Sequence, residues 1–512
     1  MSKPARETEA PPGAPTPAAG PAEYVVIGKD VLELLSSAMY VDPLTIFREY
    51  VQNAADAIDA ARDDGVLSPV DPGEVRIHLD ASQRTVRIRD NGAGIPIREA
   101  APRLLSIGGS NKRGTRARGF RGVGRLAGLA YCRQLIFRTR AAGDQFVFEL
   151  RWDCMKLKAA LREVGQDDDL PGVVNRIVSI DLLPANDYPA HFFEVEMIEV
   201  VRHHRRDALL NEDLVRQYLS EVAPVPFDDR FRHRAGIQAH ISPHTRMGDL
   251  HIEVNGGSPL RRPHRDAFPV TDFVDDHVGE LELLKYEGRD GGVAAVGWMI
   301  HHSYLGALPD RAGVKGIRLR AGNVQVGGHD LLEEVFPEAR FNAWAIGEIH
   351  VVDPRLVPNA RRDHFEQNVH FADLAAHVQP LARSIAKQCR AASIERNRIK
   401  NAQLVTATLA KQLPALAGQR PDLSSEIAKC ANQLKQVARY FAGRDDAPDA
   451  SAFEAVINTL SQVATPPTPE AARAYMEALV QTGALSKADL VKLARGVSDT
   501  TLADSRDVTQ HH

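Results

Sequence analysis

Residues 46–58, IFREYVQNAADAI, place Glu49, Asn53 and Asp56 at spacings of four and three, while Phe47, Val51 and Ile58 fall on other positions of the same turns. That spacing predicts a helix with one polar stripe and one apolar stripe. An apolar stripe must be buried against another layer, so the helix lies on a core. The polar stripe then carries two carboxylates and an amide at the edge of that core, an expensive place for charge unless something binds there.

The segments that follow supply the layer. Val75-Ile77-Leu79 and Val86-Ile88 alternate around a polar turn at Ser82-Gln83 and read as a hairpin that ends at Asp90. Leu135 to Arg140 and Phe146 to Trp152 flank Gly143-Asp144 as a second hairpin, and Ile177 to Leu182 is a further strand. The expected first domain is helices stacked on one antiparallel sheet, an α+β layer, spanning residues 23–205 behind a Pro- and Ala-rich arm at 1–22. A second, strand-rich domain at 206–367 is expected to contain Leu250 to Val254, Leu281 to Tyr286, Val293 to Ile300, Ile317 to Val326 and Ile346 to Val352. From 368 to 512 the pattern turns helical, with Leu374, Val378, Leu381 and Ile385 at spacings of three and four.

Composition narrows the partners. The 512 residues carry a net charge of −4, so a nucleic-acid or membrane partner would need a local patch; the clusters at 202–206, 230–234 and 261–265 are candidates, with solvated surface the plainer reading. Cys132, Cys154, Cys389 and Cys430 have neither the density of a disulfide framework nor zinc spacing. No apolar run approaches the roughly eighteen residues of a spanning helix, and the first residues lack an apolar signal core. A cytoplasmic chain without a membrane partner is expected.

The chemistry suggested is ATP hydrolysis with Mg²⁺. Asp90, followed by Gly92 and Gly94, can accept a hydrogen bond from the exocyclic amine of adenine. Asn53 offers one neutral oxygen to Mg²⁺, which takes its other ligands from phosphate and water. Glu49, one turn earlier, stands where a general base is needed, and Asp56 lines the nucleotide side of the helix. Gly119, Gly122, Val123 and Gly124 free backbone amides for phosphate at what reads as a helix start, and Lys112 precedes them in a short basic lid with Arg113, Arg116 and Arg118.

These motifs together resemble the GHKL (Bergerat) ATPase fold of Hsp90 chaperones, MutL proteins, type II topoisomerases and histidine kinases. The segment VLELLSSAMYVDPLTIFREYVQNAADAIDAAR resembles the opening helices of Hsp90, SIGGSNK its lid, and GFRGVGRLAGLA both its glycine loop and the GFRGEAL segment of MutL. The family's later G-T-x-I/V element has its nearest counterpart in Asn175-Arg176-Ile177-Val178. Beyond the first domain, GIRLRAGNVQVGG resembles a strand pair of the Hsp90 middle domain, and LVPNARRDHFE resembles its loop carrying an arginine to the γ-phosphate. The resemblance implies Arg362 as that arginine with Arg361 beside it, an α/β transducer domain, client proteins as partners and a homodimer built through the helical tail. It leaves three branches: a chaperone doing ATP-driven work on unfolded proteins, a MutL- or MORC-like clamp acting on DNA, or a phosphotransfer kinase, which the lack of an evident phosphoacceptor-histidine helix ahead of the ATP domain disfavours.

Overall fold

A computed structural model of the chain describes residues 42–106, 124–162, 170–202, 207–247, 249–271 and 274–419, with side chains to residue 397. Its first helix, α1 (Thr45–Asp63), is the one read from the polar stripe. Alanines and unbranched side chains favour the helix, and Gly65 ends it in the left-handed region at φ +72°. Ile46, Phe47, Tyr50, Val51, Ala54, Ala55, Ile58 and Ala61 are all buried, so α1 is packed almost all round.

It lies on a seven-stranded sheet. The strands are β1 (Gly73–Asp80), β2 (Thr85–Asp90), β3 (Gln134–Arg140), β4 (Phe146–Asp153), β5 (Val178–Pro184), β6 (Phe192–Ile198) and β7 (Leu250–Val254), in the order β5-β4-β3-β6-β2-β1-β7. Helices α2 (Ile97–Leu105), α3 (Cys154–Arg162) and α4 (Leu170–Ile177) complete the first part of the layer, with a 3₁₀ turn at Gly124–Ala130. Both predicted hairpins are present, β1 with β2 and β3 with β4, and the fold is α+β with helices on a sheet. The opposite face of the sheet carries a charged ladder in which Arg138 bonds Glu149, Glu194 and Glu196 at 2.7, 2.8 and 2.6 Å.

Leu250–Val254 differs from expectation. Instead of joining the second sheet it pairs in parallel with β1, Gly73 opposite Leu250 and Ile77 opposite Val254. Its alternating burial suits a half-covered edge, and the Asn255 side chain caps the pairing by accepting from the Leu79 N–H at 2.8 Å. Helix α5 (Glu212–Val222), started by Asn211, whose Oδ1 accepts from Leu214 N–H, also buries Val215, Leu219 and Val222 in the first core. That core therefore draws on residues as far as Leu260, beyond the boundary expected after 205.

Helix α6 (Arg234–Ile241) begins the second layer, followed by the small pair β8 (Ala267–Pro269) and β9 (Asp275–His277). A five-stranded mixed sheet then forms from β10 (Leu281–Glu287), β11 (Val293–Ile300), β12 (Gly316–Ala321), β13 (Val324–Val326) and β14 (Ile346–Val351), ordered β10-β11-β14-β12-β13 with β12 and β14 parallel. His233 and His240 donate to Gly279 O and Leu284 O, both at 2.9 Å, and so cover the chain at the β10 edge. Helix α7 (Val369–Gln419) follows; Phe371, Leu374, Val378, Ala382 and Ile385 are buried at helical spacing. The chain divides into two compact units, Met1–Ala386 and Lys387–His512.

The basic clusters are largely neutralised where described. Arg230 and Arg265 both pair with Asp228, Arg234 with Asp229, and Arg202 approaches Asp207; Arg205 and Arg206 lie outside the described residues. Cys132 and Cys154, remote in sequence, are buried free thiols with sulfurs 3.9 Å apart, and Cys430 lies outside the described residues. Among the described residues no helix is long and apolar enough to cross a membrane.

Truncating Ile252, which is fully buried on β7, should cost about 2–4 kcal/mol in urea unfolding. Hydrogen exchange of Ile252→Ala should quicken at the β1 amides of residues 73–77. Faster exchange confined to the second sheet would show that β7 belongs elsewhere.

Candidate functional site

Two glycine turns seat on α1 at different heights. Near its start, Glu49 is 6% exposed, and Arg48 Nη2 donates to its Oε1 at 3.3 Å. Gly124 packs directly on this carboxylate: a Cβ added there would lie 2.4 Å from Glu49 Oε2. The next helical residue fastens the same turn, since the Tyr50 hydroxyl accepts from Gly128 N–H at 2.9 Å and donates to Arg125 O at 3.2 Å. Gly119, Gly122, Val123 and Lys112, also expected to contribute, lie outside the described residues. Asn53 is half-buried one turn beyond Glu49, and Asp56 is 8% exposed.

The second turn seats at Ala57. β2 delivers Asp90 to the sheet end, where its Oδ1 accepts from Gly92 N–H at 2.9 Å. Gly92 has no room for a side chain, because a Cβ would fall 2.7 Å from Ala57 Cβ, and Ala93 N–H donates to Ala57 O at 3.1 Å. Gly94 sits at φ +68° against Arg140 O, which a Cβ would approach to 1.9 Å. Eight residues of helix separate Glu49 from Ala57, about 12 Å at 1.5 Å per residue. An elongated ligand lying along α1 would meet Asp90 at one end and Glu49 with Gly124 at the other.

Asp90 is 6% exposed. Burial pushes its carboxyl up to about 7, against the pull of the Gly92 and Phe193 backbone N–H groups. Its burial beside the close-packed Gly92 makes Asp90 a candidate binding residue.

The Asn175–Val178 element does not reach this end. It closes α4 and opens β5, the sheet edge four strands from β2. Asp90 instead lies between β1 and β6, with Val75 and Phe193 directly opposite. Two residues that sequence reasoning missed hold the Asp90 loop instead. Thr139 Oγ1 on β3 accepts from Ile95 N–H at 2.8 Å, and His191 Nδ1 donates to Gly92 O at 2.9 Å. Neither stands in a motif, and only the strand order brings them there.

The second sheet contributes a loop. Pro358 bridges Phe365, Asn359 N–H donates to His364 O, and Arg362 occupies the left-handed region at φ +55°. Arg362 is 6% exposed whereas Arg361 is exposed. Arg48 joins this loop to α1: its Nη1 donates to Arg362 O at 3.2 Å and its Nη2 to Arg361 O at 3.0 Å. The guanidinium that touches Glu49 therefore also holds the arginine loop. Arg48 carried no signal in the sequence beyond its place before Glu49.

Residues 44–166 match the family model described as histidine kinase-, DNA gyrase B-, and HSP90-like ATPase. Chaperone protein HtpG of Acinetobacter baylyi is 30% identical over 139 residues, covering 24% of this chain and 22% of that protein. HtpG of Serratia proteamaculans is 32% identical over 140 residues, covering 23% and 22%. The chain thus spans about a fifth of the length of these curated relatives.

A carboxyl raised by burial stabilises the fold below its unfolded pKa near 4, and that contribution is lost as pH rises through about 7. Asn does not titrate. Whatever constant offset the amide introduces, the stability of Asp90→Asn relative to the unsubstituted chain should improve between pH 4 and 8, by up to roughly 4 kcal/mol. Urea titrations of the ligand-free proteins at several pH values check this. Parallel curves would mean that Asp90 is not held in its uncharged form.

Proposed function

We propose, starting from the ATPase domain of the histidine kinase-, DNA gyrase B- and HSP90-like family formed by residues 44–166, that this chain hydrolyses ATP to drive conformational work on client proteins. The observation that carries the reading is the Arg48 guanidinium, shared between the Glu49 carboxylate and the carbonyls of the Arg361–Arg362 loop. It supports a site assembled from both sheets.

In this reading Asp90 accepts from the exocyclic amine of adenine, and its apolar surroundings make that contact selective. The Gly124 turn gives phosphate a close approach to α1, where a side chain would collide with Glu49. Asn53 would hold Mg²⁺ through its single amide oxygen, and the ion would supply charge neutralisation for the phosphates. A lone neutral amide oxygen fits an ion that arrives with its nucleotide. Glu49 takes the proton of the attacking water as its oxygen bonds to the γ-phosphorus, and ADP leaves with the bond electrons. Arg362 offsets the charge that develops, a task suited to a guanidinium, which stays protonated near neutrality.

Protein rather than DNA is the proposed substrate of the work. Net charge is −4, and within the described basic clusters Arg230 and Arg265 pair with Asp228 and Arg234 with Asp229. The relatives are named as chaperones. The second layer, α6 with the five-stranded sheet, is then the transducer, the helical region at 368–512 serves client contact or a homodimer, and the chain works in the reducing cytoplasm.

Glu49→Ala should retain ATP affinity in calorimetry while phosphate release slows by a factor on the order of 10² to 10⁴. Arg362→Ala should also slow release with affinity little changed. Turnover of Glu49→Ala within about twofold of normal would move water activation elsewhere, Asp56 being next on the helix.

Full-length protein should suppress aggregation of an unfolded protein in an ATP-dependent manner and bind duplex DNA weakly at physiological salt. Tight duplex binding that falls by roughly 10³ or more between about 50 and 200 mM salt would instead support the MutL- or MORC-like clamp.

A further inference from the structure

The second sheet buries a charged cluster that the proposed chemistry does not use. Glu348 on β14 and Arg320 on β12 are essentially inaccessible, as is Arg262 after β7. Glu348 accepts from Arg320 Nε at 2.7 Å and from Arg262 Nη1. Burial alone would raise the Glu348 carboxyl, but the two guanidiniums outweigh it and hold it well below the usual range.

What the arginines do with their other N–H groups is informative. Arg320 Nη2 donates to Glu221 O at 2.6 Å and its Nη1 to Ala223 O at 3.4 Å, while Arg262 Nε donates to Val225 O at 3.0 Å. Arg318 on β12 adds a bond from Nη1 to Glu221 Oε2 at 2.9 Å. These partners are the end of α5 and the segment leaving it, where helix carbonyls otherwise lack donors. The cluster therefore ties α5 to the second sheet.

The other side of α5 reaches the site. Helix α5 packs against α1, with Tyr218 partly buried against the first core beside it. From the second sheet the path returns through Gly327, just after β13, whose N–H donates to Arg362 O at 2.8 Å. Arg48 then closes the ring by holding that same loop. Contacts run from α1 through α5, residues 221–225, β12 and β14, Gly327 and the arginine loop, and back to α1.

We propose that the buried Arg262–Glu348–Arg320 cluster is a positioning device, fixing the register between the Arg361–Arg362 loop and Glu49; it rests on the hydrolysis reading above. An apolar cluster of the same volume would stabilise the interior as well or better, so stability alone does not account for three arginines here. A planar fork with fixed donor directions specifies geometry instead. Glu348 sets the forks, the forks set α5, and the arginine loop inherits the result.

The test uses the full chain with Glu348→Gln, Glu221→Gln and Arg362→Ala. Hydrogen exchange over residues 44–52 and 357–366 should quicken several-fold in the first two variants. ATP affinity should stay within about twofold while kcat falls by about tenfold, since misplacement acts on the assembled site rather than on binding. In the Arg362→Ala background, Glu348→Gln should cost less than about twofold more, because both changes act on one contact. Should Glu348→Gln fail to fold, Glu221→Gln, whose side chain is 20% exposed, carries the same measurements. Unchanged exchange in folded Glu221→Gln overturns the inference, and so do kcat losses that multiply independently of Arg362. An unsubstituted chain that does not turn over ATP removes the hydrolysis reading instead, and is recognised by that activity alone.

Discussion

The arrangement turns on one guanidinium. Arg48 is 5% exposed, and a cation so placed is tolerable only if its charge and donors are met. Its charge and its two terminal nitrogens are met from two directions, by the Glu49 carboxylate beside it and by two backbone carbonyls from a loop more than three hundred residues away in sequence. Removing the loop would leave a buried charge short of partners, and removing Arg48 would leave Glu49 without its neighbouring donor. Each part of the site is thus held by a cost that the other part offsets.

The glycines act through the same close packing. Gly92 and Gly124 matter here for the space that they leave, which lets one turn rest on Ala57 and the other on Glu49. Gly94 combines closeness to Arg140 O with a left-handed backbone. Because both turns are fastened to one rigid helix, the distance between the two ends of the site is set by helical rise rather than by loop conformation.

Much of this was legible in the sequence wherever the signal was local. The α1 stripe, the hairpins β1–β2 and β3–β4 and the Asp90 turn all follow from spacing and alternation within short windows. What escaped depends on pairing between distant segments. Leu250–Val254 alternates like any edge strand, and nothing in its five residues says that its partner is β1. Ile317-Arg318-Leu319-Arg320 likewise reads as a strand with one wet face, yet both arginines are buried because the segment after α5 covers that face and its carbonyls need donors. Thr139 and His191 became visible as supports of the Asp90 loop only with the strand order known.

The parallel strand β7 also bears on how the chain is made. About 170 residues separate the end of β1 from the end of β7. During synthesis at roughly 5–20 residues per second, the outer edge of β1 emerges on the order of ten seconds or more before the strand that covers it. For that interval the first sheet presents an open hydrogen-bonding edge, the kind of template that pairs with other chains. A protein proposed to attend to unfolded clients thus begins its own life as one, with the first sheet completed only after α5 and α6 have been translated.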